Sequence, residues 1–154
     1  MDGNSSMLAK VLLVDDNQAE IVLATCLLRK DSVQLNLTSL QDGTEVIDHL
    51  LQQASESTLP DLVLLDINMP TMNGKDVLSK MMRENSLKDI PVVMCSGSDA
   101  LRDKEESKSL GASGYIVKPL NYDKLNDIVS KLDQLQFHED KDNKYLYKVD
   151  GINS

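Results

Sequence analysis

Four short apolar runs each end on a residue that can do chemistry. The run from Val11 to Val14 stops at Asp15 and Asp16, Leu62 to Leu65 at Asp66, Val92 to Cys95 at Ser96, and Tyr115 to Val117 at Lys118. Runs this short, rich in Val, Ile and Leu and separated by helical periodicity, predict strands of a parallel sheet buried on both faces. In an open α/β sheet the carboxyl ends of the strands line up, and ligands bind beyond them. Three carboxylates, a hydroxyl and an amine are therefore expected to converge on one small volume, suited to a divalent cation and a phosphoryl group.

The intervening segments supply the helices. Ala19, Val22, Leu23, Cys26 and Leu27 recur at helical spacing and predict a first helix buried on that face. Val46, Ile47, Leu50, Leu51 and Ala54 predict a second, and Val77, Leu78, Met81 and Met82 a third that opens at Gly74. Leu125, Ile128, Val129, Leu132 and Leu135 predict a last helix opening at Asn121. Val33, Leu35 and Leu37 alternate with polar residues, the pattern of a half-buried edge strand. Between Leu101 and Leu110 only Arg, Asp, Lys, Glu and Ser occur, so the helix expected there is polar nearly all round and weakly held. Five β-α repeats fit a doubly wound α/β fold with a five-stranded parallel sheet in the order 2-1-3-4-5.

With 154 residues there is room for one domain around a single sizeable core. A net charge of -9 disfavours attraction to nucleic acid or anionic lipid, which leaves proteins as the expected partners. No apolar run approaches the ~20 residues that span a bilayer, and no secretory leader is recognisable, so a cytoplasmic location is expected. Cys26 and Cys95 form no disulfide framework and read as reduced, buried small hydrophobes. Residues 1–9 read as a frayed leader, 10–136 as the domain and 137–154 as an extension. That extension is charged yet carries Phe137, Tyr145 and Tyr147. It reads as a disordered tail, with docking onto the last helix or a second copy of the chain as the alternative.

The blocks VLLVDD, LVLLDINMPTMNG, PVVMCSGS and GASGYIVKP resemble the signature of response-regulator receiver domains of two-component signalling, over about residues 10–136. The resemblance implies the flavodoxin-like receiver fold. It implies that Asp66 takes a phosphoryl group from a histidine kinase or phosphotransfer protein, and that Asp15, Asp16, Asp66 and the carbonyl of Asn68 bind Mg²⁺. Lys118 then offsets charge on the phosphoryl oxygens from a cis Lys118-Pro119 bond, Ser96 bonds the phosphoryl group, and Tyr115 is the switch aromatic. The protein would relay the signal to a protein target, alone or as a homodimer, through its polar fourth helix, fifth strand and fifth helix. It would not be an enzyme acting on external substrates.

From residue type alone, each position also has a plainer use. Asp66 can cap a turn, Asp15 or Asp16 can cap the first helix, Ser96 can cap the next segment and Lys118 can be a solvated strand end. Three rival readings have less support. A phosphorylation-independent adaptor would normally have lost an acid or the lysine. A phosphatase of the haloacid dehalogenase type would want an acid where Asn68 stands, and a flavin or nucleotide binder would want a Gly-rich loop where Asp15-Asp16-Asn17 stands.

Overall fold

The computed structural model of the chain describes residues 8–70 and 72–149. Strands β1 (Lys10–Val14), β3 (Asn36–Leu40), β4 (Leu62–Asp66), β5 (Val92–Ser96) and β6 (Gly114–Val117) form one all-parallel sheet in the order β3-β1-β4-β5-β6. Numbered among themselves, these strands run 2-1-3-4-5, as the sequence predicts. Because side chains alternate along a strand, each central strand feeds two cores. Val11, Leu13, Leu62, Leu64, Val93 and Cys95 face one layer with α1 (Gln18–Lys30) and α5 (Tyr122–Val129). Leu12, Val14, Val63, Leu65, Val92 and Met94 face the other with α2 (Val46–Ser55) and α3 (Gly74–Met82). Beyond α4 (Leu101–Ser109), Leu110 and Ala112 pack against this second layer. Within α4 itself only Ser107 is buried.

Four local expectations are corrected. The buried face of α1 is Ile21, Ala24 and Leu28, whereas Val22, Leu23 and Cys26 are exposed. This helix is apolar around much of its circumference, so the spacing fitted two rotations of it. The expected edge strand is two strands: β2 (Val33–Gln34) leaves the main sheet, and β3 stays as its edge. The last helix stops at Val129, so that Leu132 packs from the following turn and Leu135 from the next strand. The helical spacing of those two leucines was met by a different backbone.

The fourth correction concerns the ends of the chain. Strands β7 (Leu135–Asp140) and β8 (Asn143–Lys148) form an antiparallel hairpin, and β2 adds parallel to β8 to give a second sheet in the order β2-β8-β7. The tail is therefore ordered through most of its length, against the disordered reading. Phe137 and Leu146 lie opposite each other on its inner side, and the Phe137 ring meets the Tyr122 ring edge-on at 5.1 Å. Tyr145 and Tyr147 stack at 6.1 Å. Residues 1–7 of the expected leader and 150–154 of the tail lie outside the described residues. Ala9 is not frayed: it is fully buried, and its N–H donates to the Leu146 carbonyl at 2.8 Å.

No helix among the described residues is long and apolar enough to cross a membrane. Since Leu146 is wholly buried in the first core layer, Leu146→Ala should lower unfolding free energy by ~2–5 kcal/mol in a urea titration. A loss under about 0.5 kcal/mol, the size of an ordinary surface substitution, would detach the hairpin from the core.

Candidate phosphoacceptor and metal site

The strand order reverses beside β1, and the carboxyl ends of β1 and β4 meet there. Asn17 rather than either acid caps α1, its side-chain oxygen accepting the Ala19 N–H at 2.9 Å. Asp15 Oδ1 accepts the Asn17 N–H at 2.9 Å, which orients the carboxylate, and Asp16 stays exposed. Asp66 is the last residue of β4, and buried Ile67 and Met69 carry the chain back over the second core layer. The return is tight: a Cβ on Gly74 would lie 2.1 Å from the Asp66 carbonyl oxygen, and the Gly74 N–H bonds the Ile67 carbonyl at 2.8 Å. Only glycine lets α3 start so close to the strand end.

Lys118 reaches the same volume from β6. Its backbone N–H bonds the Ser96 carbonyl at 2.8 Å, and the Lys118-Pro119 bond is cis. Lys124 donates to the carbonyls of Val117 and Pro119 at 2.8 and 3.1 Å, bracing the segment on both sides. The Lys118 ammonium contacts Asp15 Oδ2 at 2.7 Å, Glu20 Oε1 at 2.9 Å and Asp66 Oδ1 at 3.0 Å. An ammonium has three N–H donors, so these three carboxylates occupy them all. Burial works against the charge on Lys118, but hydrogen bonds to Asp15, Glu20 and Asp66 overcome it and raise the pKa above that of an ordinary lysine.

Asp66 is only 4 % exposed, and burial pushes its pKa up to about 6. Lys118 opposes that shift, repulsion from Asp15 adds to it, and the Asn68 N–H opposes it weakly. One carboxylate oxygen from each of Asp15, Asp16 and Asp66 lies within 4.8 Å of the others. Hard oxygen donors grouped in this way fit Mg²⁺, which takes one or two carboxylates and keeps much of its water. Asn68 lies at the same mouth, in an open cavity of about 540 Å³ that has room for a phosphoryl group.

Ser96 is fully buried at the end of β5, and its Oγ accepts the Ser98 N–H at 3.0 Å, a local cap. Half-buried Tyr115 donates its hydroxyl to the Ser98 carbonyl at 2.7 Å, so both residues hold the same turn. Gly97 has open space around it. The Cys95 thiol is pushed up to about 12 by burial and is inert beside the cluster.

The structure thus brings Asp15, Asp16, Asp66, Asn68 and Lys118 to one cavity, with Ser96 and Tyr115 on the turn beside it. Sequence reasoning missed Glu20. The available signal was its place in the first turn of a helix that starts at the mouth, but a first-turn acid commonly needs no reason beyond the helix dipole.

A parallel sheet of this order, with acids at the ends of its first and third strands and a lysine after its fifth, defines a receiver-type domain. The chain belongs to the response regulator receiver domain family, whose model matches residues 11–130. It is 32% identical to the response regulator Rcp1 of Synechocystis sp., over 80% of this chain and 85% of that one. Among solved structures it resembles the phosphorylated cyanobacterial phytochrome response regulator RcpA, with 35% identity, TM-score 0.65 and coverage of 74% of this chain and 83% of that one. The Mn²⁺-bound form of Rcp1 aligns with 32% identity and TM-score 0.61, over 76% and 86% of the two chains.

The Asp66 shift carries a stability consequence. Its folded pKa of about 6 lies above the ordinary carboxylate value, so the folded state holds the proton more tightly. The stabilisation is full below about pH 4 and is lost as pH rises through about 6. Metal-free Asp66→Asn should therefore be the more stable protein at pH 7, by up to about 3 kcal/mol, with the advantage shrinking as pH falls from 6 to 4. Urea unfolding of both proteins across that range checks it. An advantage that does not change with pH would remove the assignment.

Proposed function

We propose that the protein is a response regulator that accepts a phosphoryl group on Asp66 from a histidine kinase or phosphotransfer protein and relays the change to a protein target. The observation that carries the reading is the meeting of Asp15, Asp16 and Asp66 with the Lys118 ammonium at the carboxyl ends of β1, β4 and β6. An Asp66 carboxylate oxygen attacks the phosphorus of phosphohistidine. A P–O bond forms, the P–N bond breaks, and the imidazole leaves with the electron pair. Mg²⁺ held by Asp15, Asp16, Asp66 and the Asn68 carbonyl supplies charge neutralisation on the phosphoryl oxygens when bound. Lys118 adds a second positive charge, already positioned 3.0 Å from the nucleophilic carboxylate.

Relay from the site runs through the turn that Ser96 and Tyr115 share. A phosphoryl group on Asp66 competes for the Ser96 hydroxyl, which now accepts from Ser98, and the Tyr115 bond to the Ser98 carbonyl rests on the same turn. Displacing that turn alters the surface formed by α4, β6 and α5, which is read by the target. Catalysis is directed at Asp66 itself, and autodephosphorylation ends the signal.

Incubation with acetyl phosphate and Mg²⁺ should add one phosphoryl group by intact mass, and neither Asp66→Asn nor protein in excess chelator should gain it. Retention of the gain in Asp66→Asn would reassign the acceptor. Because Asn68 is exposed and Gly97 offers no cover, purified phosphoprotein should lose the group unaided within a day. Persistence over that time, followed by mass, would contradict the open geometry.

A further inference from the structure

Receiver chemistry needs three acids and one lysine, and here a fourth carboxylate takes part. Glu20 Oε1 lies 2.9 Å from the Lys118 ammonium, about as close as Asp66 itself, yet Glu20 stands outside the group of acids that could share a metal ion. Its side chain is 40% exposed, so its carboxylate stays in reach of water while Asp15 and Asp66 are buried. Four carboxylates against one ammonium give the pocket a net negative charge that a single divalent cation does not fully offset.

We infer that Glu20 is a positioning residue that restrains phosphorylation by competing with the phosphoryl oxygens for Lys118. During transfer, negative charge arrives at the Asp66 end of the ammonium. Lys118 must turn an N–H toward it, and Glu20 holds one of the three. Even without motion, the Glu20 carboxylate cancels part of the field that Lys118 exerts on the incoming group. The same charge works the other way on a cation, which it attracts. Glu20 thus strengthens metal binding and slows the transfer that the metal serves. A purely structural residue would push both in one direction.

This inference rests on Asp66 being the acceptor, and Glu20→Gln tests it separately. Glutamine keeps the length and an oxygen that can accept from Lys118 but removes the charge. Two measurements are made on the full chain: Mg²⁺ affinity by calorimetry with the metal alone, and the rate of phosphate gain from acetyl phosphate at saturating Mg²⁺, read by intact mass. In the transfer, the Asp66 oxygen bonds to phosphorus as the P–O bond to acetate breaks and acetate leaves. Glu20→Gln should bind Mg²⁺ more weakly, by roughly three- to tenfold, and take phosphate faster by a similar factor. A rate that is unchanged or lower overturns the inference, as does a faster rate with unchanged metal affinity. Wild-type protein that takes no phosphate would instead sink the assignment of Asp66, and the two failures are thereby distinct.

Discussion

The central strands of the main sheet are buried on both faces, and that constraint decides where charge can go. Along β1 after Lys10, and along β4 and β5, successive apolar side chains enter alternate cores, and every residue of β4 and β5 is buried. A charged group within such a strand would lose its hydration with no partner to replace it, at a cost of several kcal/mol. Charge is therefore confined to the strand ends. In a parallel sheet those ends share one side, so residues distant in sequence become neighbours: Lys118 and Asp15 lie 103 positions apart and make a 2.7 Å contact.

The resulting cluster is not a stabilising device. Asp66 has its pKa raised to about 6 by burial despite a lysine 3.0 Å away, which means that its ionised form is disfavoured in the fold. A group kept ionised at a cost is one that gains from a nearby cation. Stability is given up at the end of β4, and the surrounding elements make up for it. Gly74 allows α3 to close against the strand end, Lys124 braces the segment that carries Lys118, and Asn17 caps α1 so that both acids before it are spared.

What was legible in the sequence follows from this arrangement. The strand ends could be read because a buried strand must be apolar and ends near its first charged or hydroxyl residue, so Asp15, Asp66, Ser96 and Lys118 marked their own positions. The rotation of α1 could not, since Val22, Leu23 and Cys26 offered an apolar face as plausible as Ile21, Ala24 and Leu28. The hairpin was legible only in part: Tyr145, Tyr147 and Val149 alternate with Leu146 and Lys148 as a short strand can, but the pattern does not show that Leu146 is the inward residue. The hairpin's alternation, with Leu135, Phe137 and Leu146 inward, is broken up by Lys, Asp and Glu that suit its solvent side, and its pairing partner β2 lies more than 100 residues earlier. Glu20 was invisible because its partner is set by the tertiary fold and not by any local pattern.

Helix α4 is the element that the core holds least. Its only buried residue is Ser107, and Leu101 at its start is 68% exposed. Its attachment to α3 is electrostatic: the Lys75 ammonium contacts Asp103 at 2.8 Å and Glu106 at 2.5 Å, and Arg102 braces Glu106 from the same helix. Hydrogen bonds to Asp103 and Glu106 raise the Lys75 pKa above the ordinary lysine value. Ion pairs this close to solvent contribute little individually, typically under about 1 kcal/mol, whereas an apolar helix face would contribute several times more. A helix held that way can change position at small cost. Lys75 is the residue next to Gly74, whose backbone abuts Asp66, so the charge that fastens α4 is anchored at the rim of the site. Asp66 and the most loosely held surface helix are thus separated by one glycine and one ion-paired lysine.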